Sequence, residues 1–254
     1  MPRRYHRPVD AAPTPDPDVE VRRAWRDALG VVLATSAYGI SFGALSVASG
    51  LDVWQTCVLS LLMFTGGSQF AFVGVIGAGG LAAAPAAIAS SGLLGVRNVA
   101  YGLRMAPVVA TSRMRRVLAP HFTIDESTAV SLALTGVRAR TVGFWATGIG
   151  IWIGWNLTTL AGALLGDVLG DPKQYGLDAA AAAAFLALLW PRLRRRQPIA
   201  VGVAAAVVAT LLTPVLMPGV PVLVAAVVAV VVGWLNLFAE RPAPARLPER
   251  QRES

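Results

Sequence analysis

Charged side chains are scarce in this sequence: they make up 14% of its 254 residues, against about 25% in a typical soluble domain. Hydrophobic residues account for 55%, and they gather in runs with almost no charge between them. That pairing excludes an ordinary soluble domain and predicts an integral membrane protein. Cysteine is nearly absent too. Cys57 stands alone, so no disulfide or thiolate metal cluster can form within the chain, and its apolar setting makes it a small packing residue. The only histidines are His6 and His121, without metal-ligand spacing. The chain shows no phosphate-binding loop and no nucleophile elbow. The expectation is therefore a protein with no catalytic residues, no metal and no cofactor, and not an enzyme.

The charges that are present punctuate the apolar runs. Arg22, Arg23 and Arg26 precede the first run, Arg113, Arg115 and Arg116 stand mid-chain, Arg192 to Arg196 form a third cluster, and Arg241 to Arg252 a fourth. A net charge of +8 raises the possibility of nucleic acid. No aromatic-basic interleaving forms a binding face, so nucleic acid is excluded as a partner. Basic loops on the cytoplasmic side of a membrane account for the pattern, with lipid as the surrounding partner.

Runs of about 20 apolar residues mark crossings. They fall at 28–48, 54–79, 82–106, 141–166, 176–191, 198–217 and 220–238, with 122–137 doubtful because of Asp125, Glu126 and Arg138. The predicted organisation is a basic, disordered cytoplasmic tail over 1–27, a transmembrane permease domain over 28–238 and a cytoplasmic tail over 239–254. The run at 31–48 reads as a retained anchor rather than a signal peptide. The fold class is all-α, a polytopic membrane helix bundle of six to seven spans in the bacterial inner membrane, both termini cytoplasmic. Charge parity requires an odd number of crossings between Asp52 and Arg113, yet two runs lie there. One of them must be broken or re-entrant near 64–80, where FTGGSQF and GAGG interrupt the hydrocarbon-like sequence.

Irregular backbone at membrane depth is tolerated only where protein buries it or it lines a cavity. Gly66, Gly67, Ser68 and Gln69 are accordingly candidates for lining a path. Gly39/Gly43 and Gly150/Gly154 have the spacing of close helix packing. Gly50-Leu51-Asp52 recurs as Gly176-Leu177-Asp178, and each Asp can cap a helix.

Ionisable groups inside spans are costly and point to function. Arg97 lies well inside the third run beside Asn98, and Tyr101 shares its helix face. A guanidinium there can clamp a carboxylate or snorkel to the interface. Asp125 and Glu126 can hold a proton or bind an ammonium. Alternatively they form a solvated helix start, with Thr123 capping and Glu126 completing a capping box. Asn156 is the third polar point.

The block YGISFGALSVASGLDVWQTCVLSLLMFTGGSQFAFVGVI is similar to the amino-terminal signature of the AzlC/YgaZ family, the large subunits of bacterial branched-chain amino-acid exporters. GLLGVRNVAYGLRMAP, HFTIDESTAV and YGLDAAAAAAFLALLWP resemble its later blocks, in order, from about 28 to 238. The pattern departs at Gly95, where the family has an asparagine two positions before the arginine.

The resemblance implies export of hydrophobic amino acids such as valine, leucine or isoleucine, together with a small partner subunit of the AzlD/YgaH type. A zwitterionic substrate needs a carboxylate site, an ammonium site and an apolar pocket. Backbone amides near Gly66 to Ser68 suit the carboxylate; Gln69, freed carbonyls or Asn156 suit the ammonium; Phe64, Phe70 and Phe72 suit the side chain. Without a nucleotide site the energy must come from a gradient, with proton antiport through Asp125 or Glu126 as the expectation. A non-transporting membrane subunit and a permease for another small apolar solute are the alternatives.

Overall fold

The computed structural model describes residues 16–169, 186, 189, 190, 193, 196–217 and 220–235. Among the described residues every regular element is helical: α1 (Pro17–Ala48), α2 (Val53–Leu62), α3 (Gly66–Gly79), a 3₁₀ turn (Gly80–Ala83), α4 (Ala84–Val109), α5 (Arg113–Phe122), α6 (Asp125–Leu132), α7 (Val137–Leu169), α8 (Arg196–Leu212) and α9 (Val220–Trp234). The stretches 17–48, 66–109 and 137–168 are long and apolar enough to cross a membrane. Large apolar side chains on α1 and α7 stay exposed, Leu33 at 66% and Leu157 at 64%. Such surfaces suit hydrocarbon rather than water. The predicted span at 176–191 and both terminal tails beyond residues 16 and 235 lie outside the described residues, apart from single positions.

The chain forms two compact units. The first holds Met1–Val47, Leu51–Gly66 and Gly95–Val168, and α7 is its ruler. With 33 residues at 1.5 Å each, α7 is about 50 Å long. Helix α1 runs parallel to it: Val32 lies against Gly150, Ser36 against Gly154, Ile40 against Gly162 and Ala44 against Gly166. Gly150 and Gly154 meet α1 side chains, and at Gly162 and Gly166 the contact is backbone to backbone. A Cβ on Gly162 would stand 2.0 Å from the Ile40 carbonyl oxygen, and one on Gly43 2.1 Å from that of Thr159. The Gly39/Gly43 and Gly150/Gly154 pairs thus pack as their spacing predicts.

Helix α1 begins earlier than the apolar run. Asp16 accepts the Asp18 N–H at 2.9 Å, and Pro17 occupies the first helical position, where its missing N–H costs nothing. Glu20 then reaches across to the start of α7, accepting the N–H of Thr135 at 3.2 Å and of Gly136 at 2.8 Å, and the Thr135 hydroxyl. These bonds place 17–27 in a helix, where the sequence reading has a disordered tail.

Helix α4 runs opposite to α7. The Val108 carbonyl accepts the Thr141 hydroxyl at 3.1 Å, and Met105, Val108 and Val109 pack on Phe144 and Ala119. Two shorter helices enter this unit from opposite ends of α7. Helix α2 starts at Asp52, whose carboxylate accepts the Gln55 N–H at 2.7 Å while the Gln55 side chain accepts the Asp52 N–H at 3.0 Å. Its 10 residues cover about 15 Å, half a hydrocarbon layer. Helix α5 starts at Ser112 near the α4 terminus, Arg116 Nε bonding the Ala110 carbonyl at 3.3 Å, and it also has 10 residues.

The second unit holds Ala48–Gly50, Gly67–Leu94 and Leu169–Ser254. Within it the Ser68 hydroxyl donates to the Ser91 carbonyl at 2.8 Å. These residues are 23 positions apart, about 35 Å in a straight helix, so 66–109 is not one rod. The chain reverses at the 3₁₀ turn, where Gly80 has φ +60°, a conformation that suits glycine. Gly77 in turn lies against Ser49, beside Gly50 with φ +93°. The chain therefore leaves this unit after Gly50 and comes back to the same place by Gly77. Helices α8 and α9 pack on one another.

Candidate functional site

Both half-length helices of the first unit stop at the middle of α7. Helix α2 ends at Met63, which leaves helical geometry (φ −93°, ψ 67°). The glycine pair that follows favours an interruption. The break is pinned to α7 by Trp152, whose indole N–H reaches the Leu61 carbonyl at 3.5 Å, and by Trp155, whose ring lies 3.3 Å from a Cβ built on Gly66. Helix α5 ends at Thr123, which is followed by extended Ile124. Phe122 lies against Gly148, a Cβ there falling 3.0 Å from the Phe122 Cβ. Gly148 and Trp155 stand about 17 and 27 Å along α7 from its start, so the two breaks share its central third.

The rings of Phe64, His121, Phe122 and Trp152 fill this junction. Phe64 lies 5.7 Å from His121 and 6.3 Å from Phe122, and Trp152 lies 6.4 and 6.3 Å from the same pair. Trp145 adds an edge contact to Phe122 at 5.7 Å. Trp145, Gly148 and Trp152 recur at helical spacing on a face of α7 turned away from Gly150 and Gly154, which meet α1, while Trp155 lies at its edge and stacks on Phe42 of α1 at 6.1 Å. Phe64 is named from the sequence for an apolar pocket, whereas His121, Phe122 and the α7 tryptophans are given no role there. The stripe was the available signal.

Beyond the α5 break the polar bonds are local. The Thr123 hydroxyl donates back to the Ala119 carbonyl at 2.7 Å, so it does not cap α6. Ser127 Oγ instead accepts the Ile124 N–H at 3.1 Å and donates to the Phe122 carbonyl at 2.7 Å. The expected Thr123/Glu126 capping box is replaced by this Ser127 arrangement, because the Thr123 hydroxyl is taken by its own helix. Asp125 and Glu126 occupy the first turn of α6, where the helix dipole favours negative charge.

Against that turn stands Arg97. Its Nη2 lies 3.2 Å from Asp125 Oδ2, the side chains 30% and 27% exposed. Two residues predicted for separate tasks, Arg97 for a carboxylate and Asp125 for an ion, are joined here. Arg97 Nε and the adjacent Asn98 Oδ1 are buried atoms without a hydrogen-bond partner. Tyr101 is half-buried one turn along α4. Every other described arginine of this unit lies toward the end where α1, α5 and α7 begin: Arg22, Arg23 and Arg26, Arg104, Arg113, Arg115 and Arg116, Arg138 and Arg140. Arg97 is about 16 Å along α4 from Val108, which marks that end.

The remaining predicted residues are placed as follows. Asn156, half-buried, donates to the Trp152 carbonyl one turn back at 2.7 Å. Gly66 faces Trp155 as described. Ser68 and Gln69 belong with Gly67 to the second unit and are fully buried there, at 1% and 0% exposure, Ser68 holding α3 to Ser91. Among the described residues no cluster of metal-ligating side chains occurs.

These features define a membrane-embedded helical protein in which broken helices bring an ion pair to mid-length of a long span. The family model described as AzlC protein matches residues 30–169, more than half of the chain, and the chain belongs to the AzlC family. At family level it is an exporter-type membrane protein. No curated protein and no solved structure matches it.

Proposed function

We propose that the protein is a permease that exports branched-chain or similar hydrophobic amino acids, working with a small AzlD/YgaH-like membrane subunit. The observation that carries this reading is the Arg97–Asp125 ion pair at 3.2 Å, held where α2 and α5 break at the centre of α7. An ion pair so far from the arginine-rich end is expensive to keep in a membrane and is retained where it serves the transported solute. Broken helices at mid-depth are where transporters bind substrate. The aromatic junction offers an apolar side chain a matching environment.

The arginine-rich end of the first unit faces the cytoplasm under the positive-inside rule. The contact of Gly77 with Ser49 supports reading 51–77 as a re-entrant excursion. One effective crossing, α4, is then left between Asp52 and Arg113. With α1, α7, the sequence run at 176–191, α8 and α9, six crossings put both termini in the cytoplasm of a bacterial inner membrane. Export is driven by proton antiport: proton and substrate ammonium take turns on the Asp125 carboxylate, beside Glu126.

Counterflow of labelled leucine in proteoliposomes tests the proposal, with this chain alone and with the small subunit. Exchange that requires both proteins is the expected result. Absence of exchange for leucine, valine, isoleucine and methionine in either preparation overturns it. Conversion of both carboxylates to amides abolishes the response to a pH gradient if the antiport assignment is right.

A further inference from the structure

The Arg97–Asp125 pair has the same two charges as an amino-acid zwitterion. We infer that the substrate binds by inserting into this pair, its carboxylate on the Arg97 guanidinium and its ammonium on Asp125. The inference rests on the reading of the protein as an amino-acid permease and specifies how its site works.

The geometry leaves room for such an exchange. A guanidinium presents a planar fork that matches a carboxylate with two parallel bonds. Asp125 engages Arg97 through Nη2 at 3.2 Å, while Nε of the same fork edge has no partner. A substrate carboxylate can take both positions. Asn98 Oδ1, also without a partner, supplies an acceptor beside the arginine for the ammonium. The pair keeps nearly a third of each side chain exposed, so a ligand can reach it.

Charge accounting favours insertion over simple addition. An isolated charge at membrane depth is strongly unfavourable, and removing one partner of a buried pair strands the other. In the empty protein Arg97 and Asp125 neutralise each other. In the loaded protein the order is guanidinium, carboxylate, ammonium, carboxylate, again neutral. When the pair opens, Asp125 remains at the first turn of α6, where the dipole supports it. The long arginine side chain supplies the displacement.

The test is equilibrium binding of labelled leucine to the purified full-length protein with its small subunit. Competitors are 4-methyl-2-oxopentanoate, which lacks the ammonium, and 3-methylbutylamine, which lacks the carboxylate. Wild type should bind leucine and resist both competitors. Asp125→Asn should weaken leucine by tenfold to a hundredfold, roughly the worth of one charged hydrogen bond, and should bring the oxo acid level with leucine. Asp125→Glu, which restores the charge, should recover most of the affinity and guards against misfolding of the amide variant. Leucine binding by wild type that survives Asp125→Asn unchanged overturns the insertion and leaves the permease standing. Competition by the amine or the oxo acid against wild type at leucine's own potency also overturns it. Failure of wild type to bind any hydrophobic amino acid removes the permease reading itself.

Discussion

The seam between α1 and α7 and the junction where α2 and α5 stop are built from opposite materials, although both use the same long helix. On the α1 side, α7 presents Gly150, Gly154, Gly162 and Gly166, and at the last two the backbones touch. On the other side it presents Trp145 and Trp152 to rings at the ends of shorter helices, while Trp155 lies between the two faces, stacked on Phe42 of α1 and against Gly66. Their carboxylates differ in the same way. Glu20 at the seam is 7% exposed and satisfied by three donors from Thr135 and Gly136. Asp125 at the junction faces a guanidinium whose Nε is unused. A closed polar contact fixes helices in place; a contact with spare bonding capacity can be exchanged for a ligand. One helix thus separates scaffold from site by which face it turns.

Breaking the seam should have the largest consequence. Gly162→Leu sets a side chain into a gap that a Cβ alone fills to 2.0 Å from the Ile40 oxygen. The cost lies beyond the ~1–3 kcal/mol of ordinary overpacking, and size-exclusion chromatography in detergent should show no monodisperse peak. Retention of a wild-type profile would mean that α1 and α7 do not meet as described.

The junction should behave differently. Arg97→Gln should leave the chromatographic profile intact and reduce leucine exchange on the order of a hundredfold. Loss of folded protein instead would make Arg97 part of the scaffold and erase the contrast. Smaller again is Glu20→Gln, which keeps the shape but weakens the hold on the α7 start. It should lower the thermal midpoint by a few degrees while exchange per folded molecule is unchanged. A fall in exchange without a fall in midpoint would move Glu20 to the functional side.

The sequence disclosed the scaffold better than the junction, for physical reasons. Long spans are written in hydropathy, so α1, α4 and α7 were legible, as were the irregularities at FTGGSQF and GAGG. They fall at the 63–65 break and the turn beginning at Gly80. Half-helices of 10 residues are shorter than the run that marks a crossing. Helices α5 and α6 therefore appeared only as a doubtful segment with charges in it. The union of Arg97 with Asp125 spans 28 positions and comes from tertiary packing, which no local pattern encodes. Ser68 enters the sequence argument through its backbone amide, and what tertiary packing adds is the bond of its hydroxyl to the Ser91 carbonyl. The start of α1 was obscured by its charges, since what keeps 17–27 helical is a bond from Glu20 to a turn more than a hundred residues away.

A third carboxylate sharpens the contrast with the smallest effect. Asp52 caps α2 through its own Gln55, a purely local pair at an exposed helix start. It resembles Glu20 in accepting backbone N–H groups and differs in having no distant partner. Asp52→Ala removes the cap and should destabilise the protein by about 1 kcal/mol, a shift in midpoint of about 2–4 °C. Leucine exchange should be preserved, because α2 is also anchored at its far end through Leu61 to Trp152 and through Ser60 to Thr159. Loss of exchange at unchanged stability would show that the position of the 63–65 break depends on how α2 begins. Helix α2 would then belong to the site along its whole length rather than at its end alone.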